Sequence, residues 1–334
     1  MTEIYQQFLE QTAARHQDER EHVFDLTIAS SSPGSLTLTG RVLEQGNLDE
    51  FYSALPPETV ADGSAVKVLR RAGNPLLTVA TNLASLHRGT SFLEEQLSQL
   101  LYGRQVEVLE EQEKWAYVRC DDGYLGWIYR PYLREQPADE PTHLVIEAVS
   151  HMRGQPGPGT GIVTRVMGGT YVTVLEAAGE WAYTAAHQTG WLPLSGLRRI
   201  SALPQTSAER RVQMMADAAR LIGVPYLWGG STAAGIDCSG LAQLVHRWSG
   251  LTLRRDADMQ MAGGQPVEGE AMQPGDLAFF GEDGDPRRIT HVAISTGGWK
   301  IIHSSRSRNG VYLDDIQQVE HLRDSYAGSC TYLD

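Results

Sequence analysis

One pattern occurs twice in this chain, and it limits the fold more than any other feature. Val106-Glu-Val-Leu-Glu110 followed by Trp115-Ala-Tyr117 recurs as Val172-Thr-Val-Leu-Glu176 followed by Trp181-Ala-Tyr183. A glycine stands twelve residues before each tryptophan, at Gly103 and Gly169. Each copy closes on Gly-Trp, at Gly126-Trp127 and Gly190-Trp191. Strict alternation of apolar and polar residues puts every second side chain on one face of a strand. Turn residues between such runs reverse the chain, and tryptophans fill a core too small for many side chains. A repeat of about 65 residues built this way predicts two small antiparallel barrels.

The pattern resembles bacterial-type SH3 domains, over residues 76–135 and 142–200. Gln136-Pro-Ala-Asp-Glu-Pro141 reads as the linker between them. At 334 residues the chain is too long for these two units alone. Ahead of them, residues 1–75 read as a small α+β unit. It has a polar helix over 2–20, strands at Val23–Ser30 and Ser35–Val42 around Ser-Ser-Pro-Gly, a short helix at Asn47–Leu55 and a strand at Ala65–Leu69.

Residues 205–334 form a further domain. Thr206-Ser-Ala-Glu209 is a capping box, in which side chains satisfy exposed N–H groups at a helix start. Val212, Met215, Ala216, Ala219 and Ile222 follow at helical spacing, and Gly223 with Pro225 stops the helix. A second helix begins at Cys238, with Leu241, Leu244, Val245 and Trp248 on one face and Gly250 at its end. Strand-like runs follow at Asp276–Phe280, His291–Ser295, Trp299–Ser304, Val311–Leu313 and Cys330–Leu333. Helices followed by a meander of strands indicate an α+β domain.

Net charge is −13, so no basic surface is available for nucleic acid or anionic lipid. No run of apolar residues is long enough to span a bilayer, and no membrane insertion is expected. The first residues lack the basic and apolar stretches of a signal peptide, and taking Met1 as the native start the expected location is cytoplasmic. Three cysteines without CxxC spacing argue against a disulfide framework or a metal site. Cys120 and Cys330 read as small buried strand residues.

Cys238 is different. It lies in Gly235-Ile-Asp-Cys-Ser-Gly240, where a glycine-rich loop becomes a helix. Unpaired N–H groups at a helix start favour thiolate over thiol. A cysteine nucleophile needs a base for its proton and a third group to orient that base. His291 and His303 lie in consecutive strand-like segments that turn at Thr296-Gly-Gly298. A two-residue turn would put them on opposite faces. A three-residue loop pairs 291 with 303 on one face, with His291 as base and His303 accepting from its other ring nitrogen. His87, His143, His151, His187, His246 and His321 read as structural.

Pro225-Tyr-Leu-Trp-Gly-Gly230, Asp237-Cys-Ser-Gly240, Arg255-Asp-Ala-Asp-Met-Gln260, Pro274-Gly-Asp-Leu-Ala-Phe-Phe280, Ile289-Thr-His-Val-Ala-Ile294 and Ile302-His303 occur in this order. Together they resemble the NlpC-type cell-wall cysteine peptidases, a papain-like family. The resemblance implies a multidomain chain: two all-β SH3-like barrels plus an α+β papain-like cysteine peptidase domain, preceded by the small α+β segment. It implies Cys238 as nucleophile, His291 as base and His303 as third member, with no metal or cofactor.

Two SH3-like domains ahead of such a peptidase resemble the γ-D-glutamyl-L-diamino acid endopeptidases. These act on peptidoglycan stem peptides with a free N-terminal L-Ala. There the first SH3-like domain contacts the peptidase domain and walls off the groove. The carried-over substrate-binding residues are Asp237, Ser239, Glu95 and Tyr124. Glu95 lies eight residues before the Gly of Gln99-Leu-Leu-Tyr-Gly103, and Tyr124 sits in Asp122-Gly-Tyr-Leu-Gly-Trp127; Arg104 stands where the family usually has Glu. Other readings stand beside these. Glu95 also reads as part of a solvated helix face, and Asp237 also reads as a helix cap, with one oxygen for the cap and one for the ligand. Tyr226 either points its hydroxyl at the oxyanion or packs. The whole chain also reads as a non-catalytic cell-wall peptide-binding scaffold, or as an acyltransferase or amidase on the same fold.

Overall fold

A computed structural model describes residues 2–333. Compactness divides the chain into two units, Met1–Leu77 with Val106–Trp127, and Thr78–Gln105 with Ile128–Asp334.

In the first unit, the hairpin Phe24–Ser32 and Ser35–Val42 turns through Gly34 at φ +73°, and Val60–Val68 pairs parallel to its second strand. Helix Gln45–Ala54 makes the crossover that a parallel pair requires. Leu36, Leu38, Leu48 and Phe51 form the core with Tyr5 and Leu9 of helix Thr2–Ala13. That first helix is shorter than the expected 2–20: it tightens into a 3-10 turn at Ala14–His16 and stops. The Asp18 carboxylate accepts both the Arg20 backbone N–H and its guanidinium, a local bond that competes with continued helix. Strands Gln105–Gln112 and Trp115–Cys120 form an antiparallel hairpin in the same unit, with Cys120 buried.

The second unit holds the hairpin Leu83–His87 and Gln96–Leu101, the second barrel and the α+β domain. The second barrel runs from His143 to Arg199 in seven short strands around Val145, Met152, Val166, Val172 and Leu192. In the α+β domain, six antiparallel strands lie in the order Gln265–Pro266, Tyr326–Thr331, Leu277–Gly281, Ile289–Gly297, Lys300–Ser305, Gly310–Asp315. Helix Cys238–Trp248 is buried on nearly every side, Leu241, Leu244, Val245 and Trp248 included. A helix so enclosed is held by packing rather than by propensity.

Helix Ser207–Ala219 forms with its capping box but buries a different face from the one expected. Met214, Asp217 and Ala218 are buried, whereas Val212 is 74% exposed and Ile222 48%. The face is set by Asp217, whose carboxylate takes a paired hydrogen bond from Arg198. Helix Ala257–Gly263, which contributes Met259 and Gln260 to the interior, was not apparent from apolar spacing.

Candidate active site

Cys238 is the first residue of its helix, and Asp237 caps it by accepting the Gly240 N–H at 2.7 Å. A Cβ at Gly240 would meet the Gly230 carbonyl oxygen at 2.1 Å, so the first helical turn lies directly on the preceding loop. The thiol receives backbone N–H groups from Val292 and Ser239. Even so, burial and then the adjacent Asp237 carboxylate push it up to about 12. Desolvation and the neighbouring negative charge thus oppose the thiolate that the helix start alone would favour.

His291 and His303 do share one face, by a route that differs from the expected loop. Ile294 lies opposite Ile302 and Ser295 opposite Ile301, so residue 303 is level with 293 and His291 is offset by two. The turn itself is tight, with Gly297 paired to Lys300, and a bulge between Ser295 and Gly297 inserts Thr296. The extra residue restores the parity that a two-residue turn would break. Gly297 at φ +124° and Gly298 at φ +57° supply the left-handed backbone. The diagonal neighbours meet: His291 Nε2 and His303 Nδ1 are 2.8 Å apart.

Burial, then His303 and His321, drives His291 down to about 3, and burial also lowers His303. Both rings and the thiol are thus neutral at rest. Among the described residues no hydrogen bond joins Cys238 to His291, whose Nδ1 is left without a partner.

Sequence reasoning missed the next member of this row. His303 Nε2 lies 2.9 Å from Asp314 Oδ2, and Arg308 Nη1 is 2.8 Å from both Asp314 oxygens. Parity within Gly310–Asp315 is the available signal: Tyr312 sits opposite His303, so Asp314, two residues on, faces the same way.

The expected substrate-side residues divide sharply. Asp237 Oδ1 accepts from Gly240, Ser239 and Arg255, and Oδ2 from Gly229 and Arg255. Five donors fill a carboxylate's lone pairs, so the idea that one oxygen is kept for a ligand is corrected. Ser239 Oγ takes Arg255 Nη1 at 2.7 Å and keeps one lone pair. Tyr226 is half-buried; burial, then its neighbours Cys238 and Asp237, raise its phenol, which has no hydrogen-bond partner among the described residues. Glu95 lies in the loop just before strand Gln96–Leu101, not on a helix. Its Oε1 accepts the Trp228 indole N–H at 2.8 Å and its Oε2 the Arg88 guanidinium at 2.7 Å. Tyr124 is buried in the other compact unit.

Strand Gln96–Leu101 is hydrogen-bonded to the loop that carries the cysteine. Gln96 donates to the Trp228 carbonyl, and the Gln99 side-chain oxygen accepts from Ser231 N and Thr232 Oγ1, each at 3.0 Å. Arg255, 2% exposed, joins Ser98 Oγ to Asp237.

Residues 223–328 match the NlpC/P60 family, and residues 86–130 match the bacterial dipeptidyl-peptidase SH3 domain. A γ-D-glutamyl-L-lysine dipeptidyl-peptidase of Bacillus cereus is 27% identical over 71% of this chain and 75% of its own length. Dipeptidyl-peptidase 6 of Lysinibacillus sphaericus is 28% identical over 73% of this chain and 93% of its own. The crystal structure of an NlpC/P60 family protein from Bacillus cereus shares the fold, with a TM-score of 0.68 and 21% identity over 78% of this chain and 100% of that one. With an enclosed helix that begins at a cysteine and a histidine pair on the neighbouring strands, the chain carries an NlpC/P60-family cysteine peptidase domain behind a bacterial SH3 domain.

Proposed function

We propose that the chain hydrolyses the γ-D-glutamyl–diamino acid bond of peptidoglycan stem peptides whose N-terminal L-Ala is free. The observation that carries this reading is the seam between strand Gln96–Leu101 and the loop before Cys238. Such a seam sets a wall of fixed position beside the nucleophile, and a walled groove accepts a peptide end rather than a continuing chain. The names of the relatives, dipeptidyl-peptidases with γ-D-glutamyl-L-lysine specificity, support the same reading.

Cys238 is the nucleophile and His291 the base. Because both are neutral at rest, the thiol proton passes to His291 Nδ1 as sulfur attacks the γ-carbonyl. The S–C bond forms, the carbonyl π pair moves to oxygen, and backbone N–H groups at the helix start hold the oxyanion. His291 then protonates the leaving α-amine of the diamino acid, and water, deprotonated by His291, hydrolyses the thioester. Tyr226, which carries a free hydroxyl, stands to donate to the oxyanion. The substrate ammonium is taken by Glu95 and Ser239, while Asp237 acts by holding Ser239 and the helix start in place.

The test uses L-Ala-γ-D-Glu-diaminopimelate. Cys238→Ala abolishes its hydrolysis, read by mass spectrometry of the products, and retained turnover refutes the nucleophile. Acetylating the L-Ala amine reduces kcat/KM by at least about 100-fold, the loss expected when a buried polar group is left unpaired. Equal cleavage of the acetylated peptide refutes the end-recognition.

A further inference from the structure

The row of hydrogen bonds does not stop at His303. We propose that Asp314 is a positioning residue that fixes the tautomers of both histidines, so that His291 Nδ1 is the bare nitrogen that meets the thiol. The inference rests on the assignment of Cys238 and His291 made above.

An ionised carboxylate only accepts hydrogen bonds. With Oδ2 at 2.9 Å from His303 Nε2, that nitrogen carries the ring's proton. His303 is buried and its basicity lowered, so the ring is neutral and Nδ1 is an acceptor. Its neighbour at hydrogen-bond distance on that side, among the described residues, is His291 Nε2, at 2.8 Å, which must therefore donate. A neutral His291 with its proton on Nε2 has a lone pair on Nδ1. One carboxylate thus sets the state of an imidazole two hydrogen bonds away.

Arg308 makes the carboxylate dependable. Its Nη1 contacts both oxygens, and its guanidinium lies 4.0 Å from the centre of the Tyr312 ring, which fixes its plane. A guanidinium that donates to both oxygens leaves the carboxylate facing His303 as an acceptor. Among the described residues, the other ionisable group acting on both rings is His321 of helix Glu320–Ser325. His321 repels protonation of both rings and does not choose between nitrogens.

The decisive variant is Asp314→Asn. Arg308 holds the amide oxygen, so the amide N–H₂ turns to His303 and forces its Nε2 to accept. The wrong tautomer then propagates to His291. The expected result is a fall in kcat of about 100-fold or more with KM within about twofold, the range of general-base losses. The 15N imidazole spectrum of the folded variant shows protonation moved from Nε2 to Nδ1 in His303. Asp314→Glu, which keeps the charge, restores more than half of the lost activity on a logarithmic scale. Arg308→Gln costs only a few-fold. Wild-type kcat and an unchanged 15N spectrum in Asp314→Asn overturn the proposal while leaving the base assignment intact. Full activity in His291→Ala overturns the assignment beneath it.

Discussion

The two ends of helix Cys238–Trp248 are held by different physics. At its start, strand Gln96–Leu101 meets the cysteine loop almost wholly through polar groups: Gln96, Ser98 and Gln99 on one side, Trp228, Ser231, Thr232 and Arg255 on the other. At its end, the second barrel meets the helix through apolar packing, with Leu144 and Ile146 in one core with Met214, Leu244 and Trp248. The repeated glycines show the contrast most directly. Gly103 and Gly169 share a left-handed backbone, at φ +83° and +90°. A Cβ on Gly103 would meet only Ala138, at 3.5 Å, whereas one on Gly169 would lie 2.7 Å from Leu244. The same turn occurs in both repeats, and only the one at Gly169 is packed against the helix. Directional bonds at the start fix where the loop sits. Apolar contacts at the end contribute stability without fixing the geometry of any reacting atom.

Each end has an arginine on a buried carboxylate, Arg255 itself buried and Arg198 partly so, so the comparison can be broken at comparable points. Arg255→Met leaves Asp237 with fewer donors in a buried site. Arg198→Met does the same to Asp217, which is fully buried. Removing one partner of such a pair costs about 3–5 kcal/mol, and urea unfolding of both variants is expected to show it. Activity separates them. Arg255→Met loses at least about 100-fold in kcat/KM, because Ser239 and the cap beside Cys238 move. Arg198→Met keeps wild-type kcat/KM per folded molecule. Equal loss of activity in both would mean that the two ends are one mechanical unit.

Acid probes the foundation end next. His246 is fully buried, donates Nδ1–H to the Ala242 carbonyl and is pushed down to about 4 by burial. An unfolded histidine titrates near 6.5. The folded value is the lower one, so the unfolded chain takes up the proton first as pH falls. Stability is complete above about pH 6.5 and is lost as pH falls toward 4, by on the order of 3 kcal/mol. His291 shifts in the same direction and adds to the slope. His246→Gln is expected to flatten the dependence of unfolding free energy on pH between 6.5 and 4.5. An unchanged slope would assign the acid sensitivity elsewhere.

Much of this was legible beforehand where a local pattern has one physical solution. The repeat, the capping box at Thr206 and the apolar face from Leu241 to Trp248 all follow from periodicity or from a cap, and the shared face of His291 and His303 was expected from a different loop. What was not legible depends on partners far away in sequence. The phase of helix Ser207–Ala219 is decided by Arg198, and the register of the histidine strands by a bulge that no composition marks. The raised thiol follows from desolvation around the half-buried Cys238 and from the Asp237 charge beside it, neither of which the helix-start pattern encodes. Asp237 looked available because Arg255, eighteen residues on, gave no sign that it would fill both oxygens.

The smallest expected effect bears on the polar end. Glu95 is a brace, through Trp228 and Arg88, and a proposed ammonium partner. Arg88 first, then Trp228, stabilise its charged form. Each oxygen still has an open lone pair, so the two roles are compatible. Glu95→Gln keeps an oxygen for the indole N–H and removes only the charge. Its carboxylate is partly exposed, so the stability change is expected to stay below about 1 kcal/mol. KM for the free-amine peptide is expected to rise about tenfold, equivalent to about 1.4 kcal/mol of binding, with kcat unchanged. For the acetylated peptide, already a poor substrate, no further change is expected. A rise in KM of equal size for both peptides would mean that Glu95 acts only by holding the wall. The polar end would then discriminate by shape, and the ammonium would be read by Ser239 without Glu95.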